Sequence, residues 1–490
     1  MEKILSHLQS QLRRLDSEYA DLRFVEVDRV KIKTQKGALD EVKETRSRGI
    51  GFRVLKNGTF GFSSTGDLSE KSLSAHLNQA YQMAKQFSKI RHAEVKLTSV
   101  KPVTARWEMP IRKNPWKMSV DQKAKPLLEA EHVLLSNSWV DSTSGALDFT
   151  RKKIIFVSNE GSWIEQILYR TGGWISGETW VGSSNSSKNR SEKIKRSWPG
   201  PTGRFRAQGY EAIDDLNFTR EAKRLAQELR ELKQSPEAPS GTFDLILKGS
   251  ILALQLHETF GHASESDRVY GYEDNFGGRT FLNPGLMKGF PVASSCVHLV
   301  SGAKFSFGPG AGSFAYDDEG SGAVSTKIVE KGVFQKYLTS RETAFFLDQA
   351  QSSANMVAQD WSHYPLIRMT NFNLLPGAGT LPQMVKETKN GILIDNELSW
   401  SIDELRLDFQ IGGEMGYRIK NGKIAGLIRF PIYRGDTLDF WQSCDRVAGK
   451  REWGFWGFSD CGKGGPYQEA FTGHGVSPAR FRKVEFGRLR

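Results

Sequence analysis

Residues 251–267 read ILALQLHETFGHASESD. Five apolar residues in six positions run into a His-Glu pair, and a second histidine follows Gly261. Neutral imidazole is a good zinc ligand. A glutamate beside a ligating histidine can serve the metal-bound water without binding the ion. The familiar form of this pairing is H-E-x-x-H, with histidines at i and i+4 on one helical face. Here the motif is His257-Glu258-x-x-x-His262, with the histidines at i and i+5. At roughly 100° per residue they lie about 140° apart, so a regular α-helix would not aim both at one ion. A π-bulge absorbs one extra residue and brings i and i+5 onto one face. The break is expected at Gly261, because glycine tolerates backbone angles that other residues do not.

Two histidines leave a zinc ion short of a ligand, since a catalytic zinc usually takes three protein ligands and keeps one open position. The candidates are Glu265, Asp267, His298, His474 and the cysteines Cys296, Cys444 and Cys461. Cys461 sits in SDCGKGG, where flanking glycines let the backbone approach a metal closely. Cys296 and Cys444 lie in apolar or strand-like surroundings and read as core thiols. The acidic run Asp317, Asp318 and Glu319 reads as a solvated turn.

The segment 242–247 reads as a strand feeding the 251–267 helix. Residues 1–15 form an amphipathic helix with Ile4, Leu5, Leu8, Leu12 and Leu15 on one side, without the features of a signal peptide. Residues 21–34 alternate as a strand does, and 49–64 form a hairpin about Asn57-Gly58. Helices follow at 69–87, 119–135 and 218–233. Residues 102–116 read as irregular, 153–180 as strands separated by glycine, and 182–206 as a long, basic, mobile loop. After 234–241, a linker in composition, the pattern becomes short strands with glycine turns, including Glu330-Lys331-Gly332 and Asn421-Gly422. The expectation is an α+β chain of two domains. Residues 1–238 are a mixed α/β domain for substrate or partner contacts, and 239–490 a β-rich domain carrying the metal-binding helix.

The net charge is +12 with 68 Lys+Arg against 56 Asp+Glu. It is scattered and accompanied by no nucleic-acid module, so a nucleic-acid role is the weakest reading. No run of about 18 apolar residues occurs, which gives no transmembrane helix. Three cysteines make no disulfide framework, which points to a reducing cytoplasm.

The chain resembles the TldD/PmbA family along nearly its whole length, and within it the TldD branch of zinc metallopeptidases. The resemblance rests on GIGFRVLKNGTFGFSSTGDLSE in the first half. In the second half it rests on HETFGHASESD, FAYDDEGSGAVSTKIVEKGVFQKYLTSRETA, SANMVAQDWSHYPLIRMTNFNLLPG, YRIKNGKIAG and DCGKGGPYQEAFTGHGVSPARFR. The resemblance implies that His257, His262 and Cys461 hold one Zn2+ and that Glu258 is the catalytic base. It implies a peptide substrate, short or unfolded, reached through a cavity shared by two subunits. These would be a homodimer or a heterodimer with a PmbA/TldE-like chain. Departures from the family pattern fall at residues 263–267, after the Cys-Gly-Lys segment, where the usual Gln is Gly465 or is displaced to Gln468, and in the segment 183–206. The rival reading is a non-catalytic, metal-stabilised binding or assembly subunit, or a modulator of a partner protein.

Overall fold

The structure, a computed structural model, describes residues 1–90, 93–181, 192–287 and 289–487. It begins with helix α1 (Glu2–Arg14), whose Leu5, Leu8 and Leu12 are buried. Three such burials contribute about 1.5–3 kcal/mol each. Strands β1 (Tyr19–Gln35), β2 (Ala38–Lys56) and β3 (Thr59–Thr65) follow. The β2–β3 turn is Asn57-Gly58, both at positive φ (51° and 67°), the geometry that matches strand twist in a two-residue hairpin. Helix α2 (Glu70–Phe87) is capped by the Ser69 hydroxyl on the Ser72 N–H. Then come β4 (Thr104–Glu108), α3 (Val120–Leu135), β5 (Ser142–Ser158), β6 (Trp163–Val181), β7 (Glu192–Trp198), β8 (Arg204–Arg206) and α4 (Phe218–Leu232).

These strands make one sheet in the order β3-β2-β1-β5-β6-β4, with β7 and β8 also pairing on β6. Alternation along β1 sorts its two faces. Leu22, Phe24, Val30 and Ile32 pack under the helices, whereas Val25 and Val27 meet Phe314 and Val357 of the second half.

The second half is built on β9 (Gly241–Leu247), followed directly by helix α5 (Gly249–Leu256). Its later strands are β10 (Asn390–Ile394), β11 (Glu397–Ile402), β12 (Asp408–Gly413), β13 (Met415–Lys420), β14 (Lys423–Arg429) and β15 (Ile432–Asp436). They continue with β16 (Cys444–Val447), β17 (Gly454–Lys463), β18 (Gln468–Val476) and β19 (Ala479–Phe486). The sheet order is β11-β12-β15-β19-β9-β10-β13-β14, with β16 on β19, while β17 and β18 form a separate hairpin. Only β9 and β10 run parallel within this sheet. Their long crossover carries α5, and every residue from Ser250 to Leu256 is buried. The chain is thus α+β in two domains, the second β-rich and carrying the His257 helix. No described helix is long and apolar enough to cross a membrane.

Several expectations need correction. Residues 104–108 are a strand, not irregular chain; β4 is a parallel edge strand, half exposed, and so leaves little apolar pattern. The strands in 153–180 are parted at Gly161 (φ 108°), as expected, whereas Gly172 and Gly173 lie within β6 and do not break it. A Cβ at either would meet backbone oxygens of Arg204 or Ala146 at 2.4 Å, so glycine is there to admit neighbouring strands.

The loop expected at 182–206 is partly strand. Residues 182–191 lie outside the described residues, but β7 and β8 both pair with β6. Arg196 within β7 is fully buried. It bonds Glu228 at 2.9 Å and Glu414 at 2.8 Å, with Asp395 at 3.5 Å. Burial alone would depress this guanidinium, yet Glu228, Asp395 and Glu414 outweigh it and raise its pKa.

The run Asp317–Glu319 is not solvated either, at 2–3 % exposure. Asp317 accepts N–H bonds from Glu319, Ser321 and Met356. Asp318 faces Arg23 at 3.5 Å and Glu319 pairs with Arg53 at 3.2 Å, tying the two halves together. Such charges are tolerated inside because each meets an opposite charge or several N–H donors.

Candidate metal centre

Helix α5 changes pitch at the first histidine. Residues His257–Gly261 form one π-helical turn, in which the His262 N–H reaches the His257 carbonyl. A 3-10 turn, His262–Ser264, follows. The extra residue is thereby absorbed, and the two imidazole rings stand 4.7 Å apart between centroids. Two side chains serve the irregular backbone. The Thr259 hydroxyl donates to the Gln255 carbonyl, and the Ser264 hydroxyl to that of Phe260. The Trp441 indole N–H in turn donates to the Thr259 oxygen at 2.9 Å.

Gly261 plays a different part from the one expected. Its φ and ψ are −58° and −62°, ordinary helical values that any residue adopts. What requires glycine is space: a Cβ there would meet Met369 Sδ at 2.6 Å.

The third donor is brought by β17. Cys461 Sγ lies 3.3 Å from His257 Nε2 and 3.7 Å from His262 Nε2. All three donor atoms fall within 4.8 Å of one another and all three residues are buried. A tetrahedron with Zn–N near 2.1 Å and Zn–S near 2.3 Å has N–S edges of about 3.6 Å, so the spacing suits zinc. The other thiols lie elsewhere: Cys296 and Cys444 face each other at 3.9 Å. His298 accepts from the Lys331 N–H at 3.4 Å and takes no part.

Hydrogen bonds direct both imidazoles. The Phe372 carbonyl can only accept, so His474 Nδ1 donates to it at 3.1 Å. His474 Nε2 is then an acceptor, and His257 Nδ1 donates to it at 2.8 Å. This leaves the Nε2 lone pair of His257 turned toward Cys461. Likewise His262 Nδ1 donates to Glu265 Oε2 at 3.0 Å, which frees its own Nε2. Such outer partners fix the tautomer and orient a ligating ring. His474, a candidate ligand by sequence, is therefore a support for His257.

Electrostatics agree with neutral imidazoles. Burial lowers the pKa of His257 and holds His262 well below its ordinary value despite Glu265. Burial pushes the Cys461 thiol up to about 11. Burial would also raise Glu265, but Lys463, His262 and Arg268 overcome it and hold this carboxyl well below its usual range. Lys463 is buried, with Nζ 3.0 Å from Glu265 and 2.8 Å from Asp267. The acidic tail of the motif is thus locked to the strand that carries Cys461.

The donors line a cleft of about 400 Å3. Leu254, Ile402, Trp400 and Phe458 supply apolar wall, and Glu258, Asp460 and Arg406 supply charge. Arg406 Nη1 donates to Glu258 Oε2 at 3.0 Å and Nη2 to the Gly277 carbonyl at 2.7 Å. Arg406 holds φ at +67°, a strained value for a residue with a side chain. Sequence reading missed Arg406, Arg268 and Lys463. Lys463 had a usable signal: strand alternation puts residues 461 and 463 on one face. Arg406 had none, because its partner is far along the chain.

Two histidines and a cysteine, buried and pre-oriented beside a carboxylate, form a donor set that could hold a metal ion such as zinc. The comparisons with known proteins give the lineage. Residues 240–488 match the model of the PmbA/TldA metallopeptidase C-terminal domain, and residues 20–84 that of PmbA/TldA metallopeptidase domain 1. The chain belongs to the TldD/PmbA family. A metalloprotease of Methanocaldococcus jannaschii is 29 % identical over 434 residues, covering 88 % of this chain and 90 % of the relative. A zinc metalloprotease TldD homologue of Saccharolobus solfataricus is 26 % identical over 231 residues, covering 46 % and 47 %. Among solved structures, TldE from Thermococcus kodakarensis has TM-score 0.72 at 13 % identity, covering 99 % of this chain and 100 % of that one. A Thermotoga maritima protein proposed as a modulator of DNA gyrase has TM-score 0.77 at 18 % identity, covering 99 % and 100 %. These last two likenesses concern the fold.

Proposed function

We propose that this chain is a zinc-dependent peptidase acting on short or unfolded peptides. His257, His262 and Cys461 hold one Zn2+, and Glu258 is the general base. The observation that carries this reading is the convergence of three donor atoms within 4.8 Å beside Glu258, in one cleft. Zinc bound there would acidify a water molecule and polarise a peptide carbonyl. Glu258 takes the proton of the attacking water and passes it to the leaving nitrogen. Arg406 engages one oxygen of Glu258 and so sets the direction of the other. A cleft of about 400 Å3 admits a few extended residues and not a folded domain.

The same proposal places the division between the two domains at 238/239, with the first half contacting substrate or partner. It pairs the chain with a second copy or with a PmbA/TldE-like subunit, which the shared fold with TldE supports. It puts the protein in the cytoplasm, where free thiols such as these persist.

The test is metal analysis of the purified protein and of Cys461→Ser, with a peptide-library digest of wild type and Glu258→Ala. The expected result is one zinc per chain in wild type, retained by Glu258→Ala and lost by Cys461→Ser. Cleavage is expected in wild type alone. Protein that binds no zinc, or undiminished cleavage by Glu258→Ala, overturns the reading.

A further inference from the structure

A second cavity, of about 260 Å3, lies between the two halves of the molecule. Its floor is the face of the first sheet that turns away from the helices. Pairing makes this floor regular: Arg29, Thr150 and Arg170 form one cross-strand row, and Val27, Lys152 and Leu168 the next. Lys152 and Arg170 are therefore diagonal neighbours, about 7–8 Å apart along the sheet. The roof comes from the second half and includes Phe314, Met356, Phe471 and Arg368.

Among the described residues, three cations on this wall make no ion pair with a carboxylate, although Asp318 and Asp360 act on Lys152 from a distance. Lys152 Nζ donates to the Ala358 carbonyl at 2.7 Å. Arg170 reaches the carbonyls of Tyr169 and Ser313 and the sulfur of Met109. Arg368 donates to the Cys461 carbonyl; it is 1 % exposed, and its Nε and Nη1 have no partner among the described residues. Arg29 differs, being held in two-pronged fashion by Asp148.

The acids that reach the wall are already engaged. Asp318 faces Arg23 and takes the Ala358 N–H, while Asp317 takes three backbone N–H groups. Asp360 is bonded by Ser362 and His363, and Glu469 by the Tyr467 hydroxyl. Burial with nothing to offset it pushes Arg170 down to about 9. An unpaired buried cation is costly, and an anion would relieve that cost. The remaining wall is largely aliphatic and aromatic, which selects an apolar body behind the anionic group.

We propose that this cavity binds a small carboxylate with an apolar body, its charged end held between Lys152 and Arg170 of the sheet and Arg368 of the roof. The carboxylate could be the free C-terminus of a peptide or a branched aliphatic acid, and the test separates the two. The third nitrogen of Arg368 bonds the backbone carbonyl of Cys461.

The experiment is calorimetric titration of the full-length protein with N-acetyl-leucine, N-acetyl-leucinamide, 4-methylpentanoate and acetate. It needs no turnover and is run with and without zinc, so its outcome is independent of the peptidase reading. N-acetyl-leucine or 4-methylpentanoate is expected to bind at least about tenfold more tightly than the amide and than acetate, as expected for a charge-assisted bond plus apolar burial. Preference for N-acetyl-leucine over 4-methylpentanoate identifies a peptide C-terminus; the reverse identifies an aliphatic acid. Lys152→Met and Arg170→Met should each weaken binding about tenfold, while the exposed Lys336→Met leaves it unchanged. Equal affinity for acid and amide, no heat with any acid at millimolar concentration, or folded Lys152 and Arg170 variants that bind as wild type would overturn the proposal. The acid-against-amide comparison uses wild type alone, so it stands even if a variant fails to fold.

Discussion

The main-chain N–H of His262 donates to the carbonyl of His257, five residues back. That single π-type bond turns a spacing unsuited to a regular helix into two imidazoles on one side of the chain, opposite Cys461. The packing that holds it is close. Gly261→Ala would drive a methyl against Met369, a residue with no exposure, and is expected to destabilise the protein by about 1–3 kcal/mol. The double variant Gly261→Ala/Met369→Ala should cost less than the sum of the two singles. Denaturant melts of all four proteins measure this, and strict additivity would show that the clash is not the cause.

His474 orients His257, and both of its ring nitrogens are engaged, one by the Phe372 carbonyl and one by His257. His474→Ala should therefore leave the three donors in place but weaken zinc binding by about 10–100-fold, the range for outer partners of ligating histidines. Competition with a chromophoric chelator gives the affinity. A total loss like that of His257→Ala would instead make His474 a ligand.

Zinc binding should release a proton from Cys461. Its thiol is pushed up to about 11 in the metal-free chain, whereas burial lowers His257 and His262, which are then neutral at pH 7 and above. Only the thiol must ionise, so apparent affinity should rise about tenfold per pH unit from 7 toward 9. Calorimetry in buffers of different ionisation enthalpy should count about one proton released. An affinity that does not change between pH 7 and 9 would show that the thiol gives up no proton on binding.

Lys463 keeps Glu265 and Asp267 apart electrically. Removing it as Lys463→Met leaves two buried carboxylates facing each other, at a cost of about 3–5 kcal/mol at neutral pH. Glu265 is held well below its usual range in the native protein, so its contribution is present above the unfolded carboxylate pKa and is lost as pH falls through the folded one. The gap between wild type and Lys463→Met should therefore narrow as pH falls below the ordinary carboxylate range. Thermal melts across pH 3 to 8 test this; a gap that is constant in pH would assign Lys463 a packing role only.

Arg196 anchors the first half to the second through Glu228, Asp395 and Glu414. Arg196→Met should destabilise by about 3–5 kcal/mol and resist rescue by salt, because a buried pair is poorly screened. A change of under about 1 kcal/mol would mean that the cluster behaves as a surface pair.

What the sequence determined by itself was local. Periodicity along the chain placed α1, α2, α3 and α4, the Asn57-Gly58 hairpin and the strand-to-helix step at β9, because helix and strand repeats are set by near neighbours. The extra residue in His257-Glu258-x-x-x-His262 announced a π-turn for the same reason, since two rings can share an ion only if the backbone absorbs it. The cause assigned to Gly261 was local as well, and it was wrong: the constraint is Met369, more than a hundred residues away. The local sequence left the third donor open among several residues, and the family resemblance pointed to Cys461; the tertiary structure brings that thiol to 3.3 Å and 3.7 Å from the two imidazoles. It also turned charged runs that read as solvated into buried pairs, Arg196 with Glu414 and Arg53 with Glu319. A charge reads as solvent-facing until its partner is known, and these partners lie about 200 residues or more along the chain. Hydration can be replaced by an opposite charge from anywhere in the fold, so burial of ionised groups is decided by packing and is not written in the neighbouring residues.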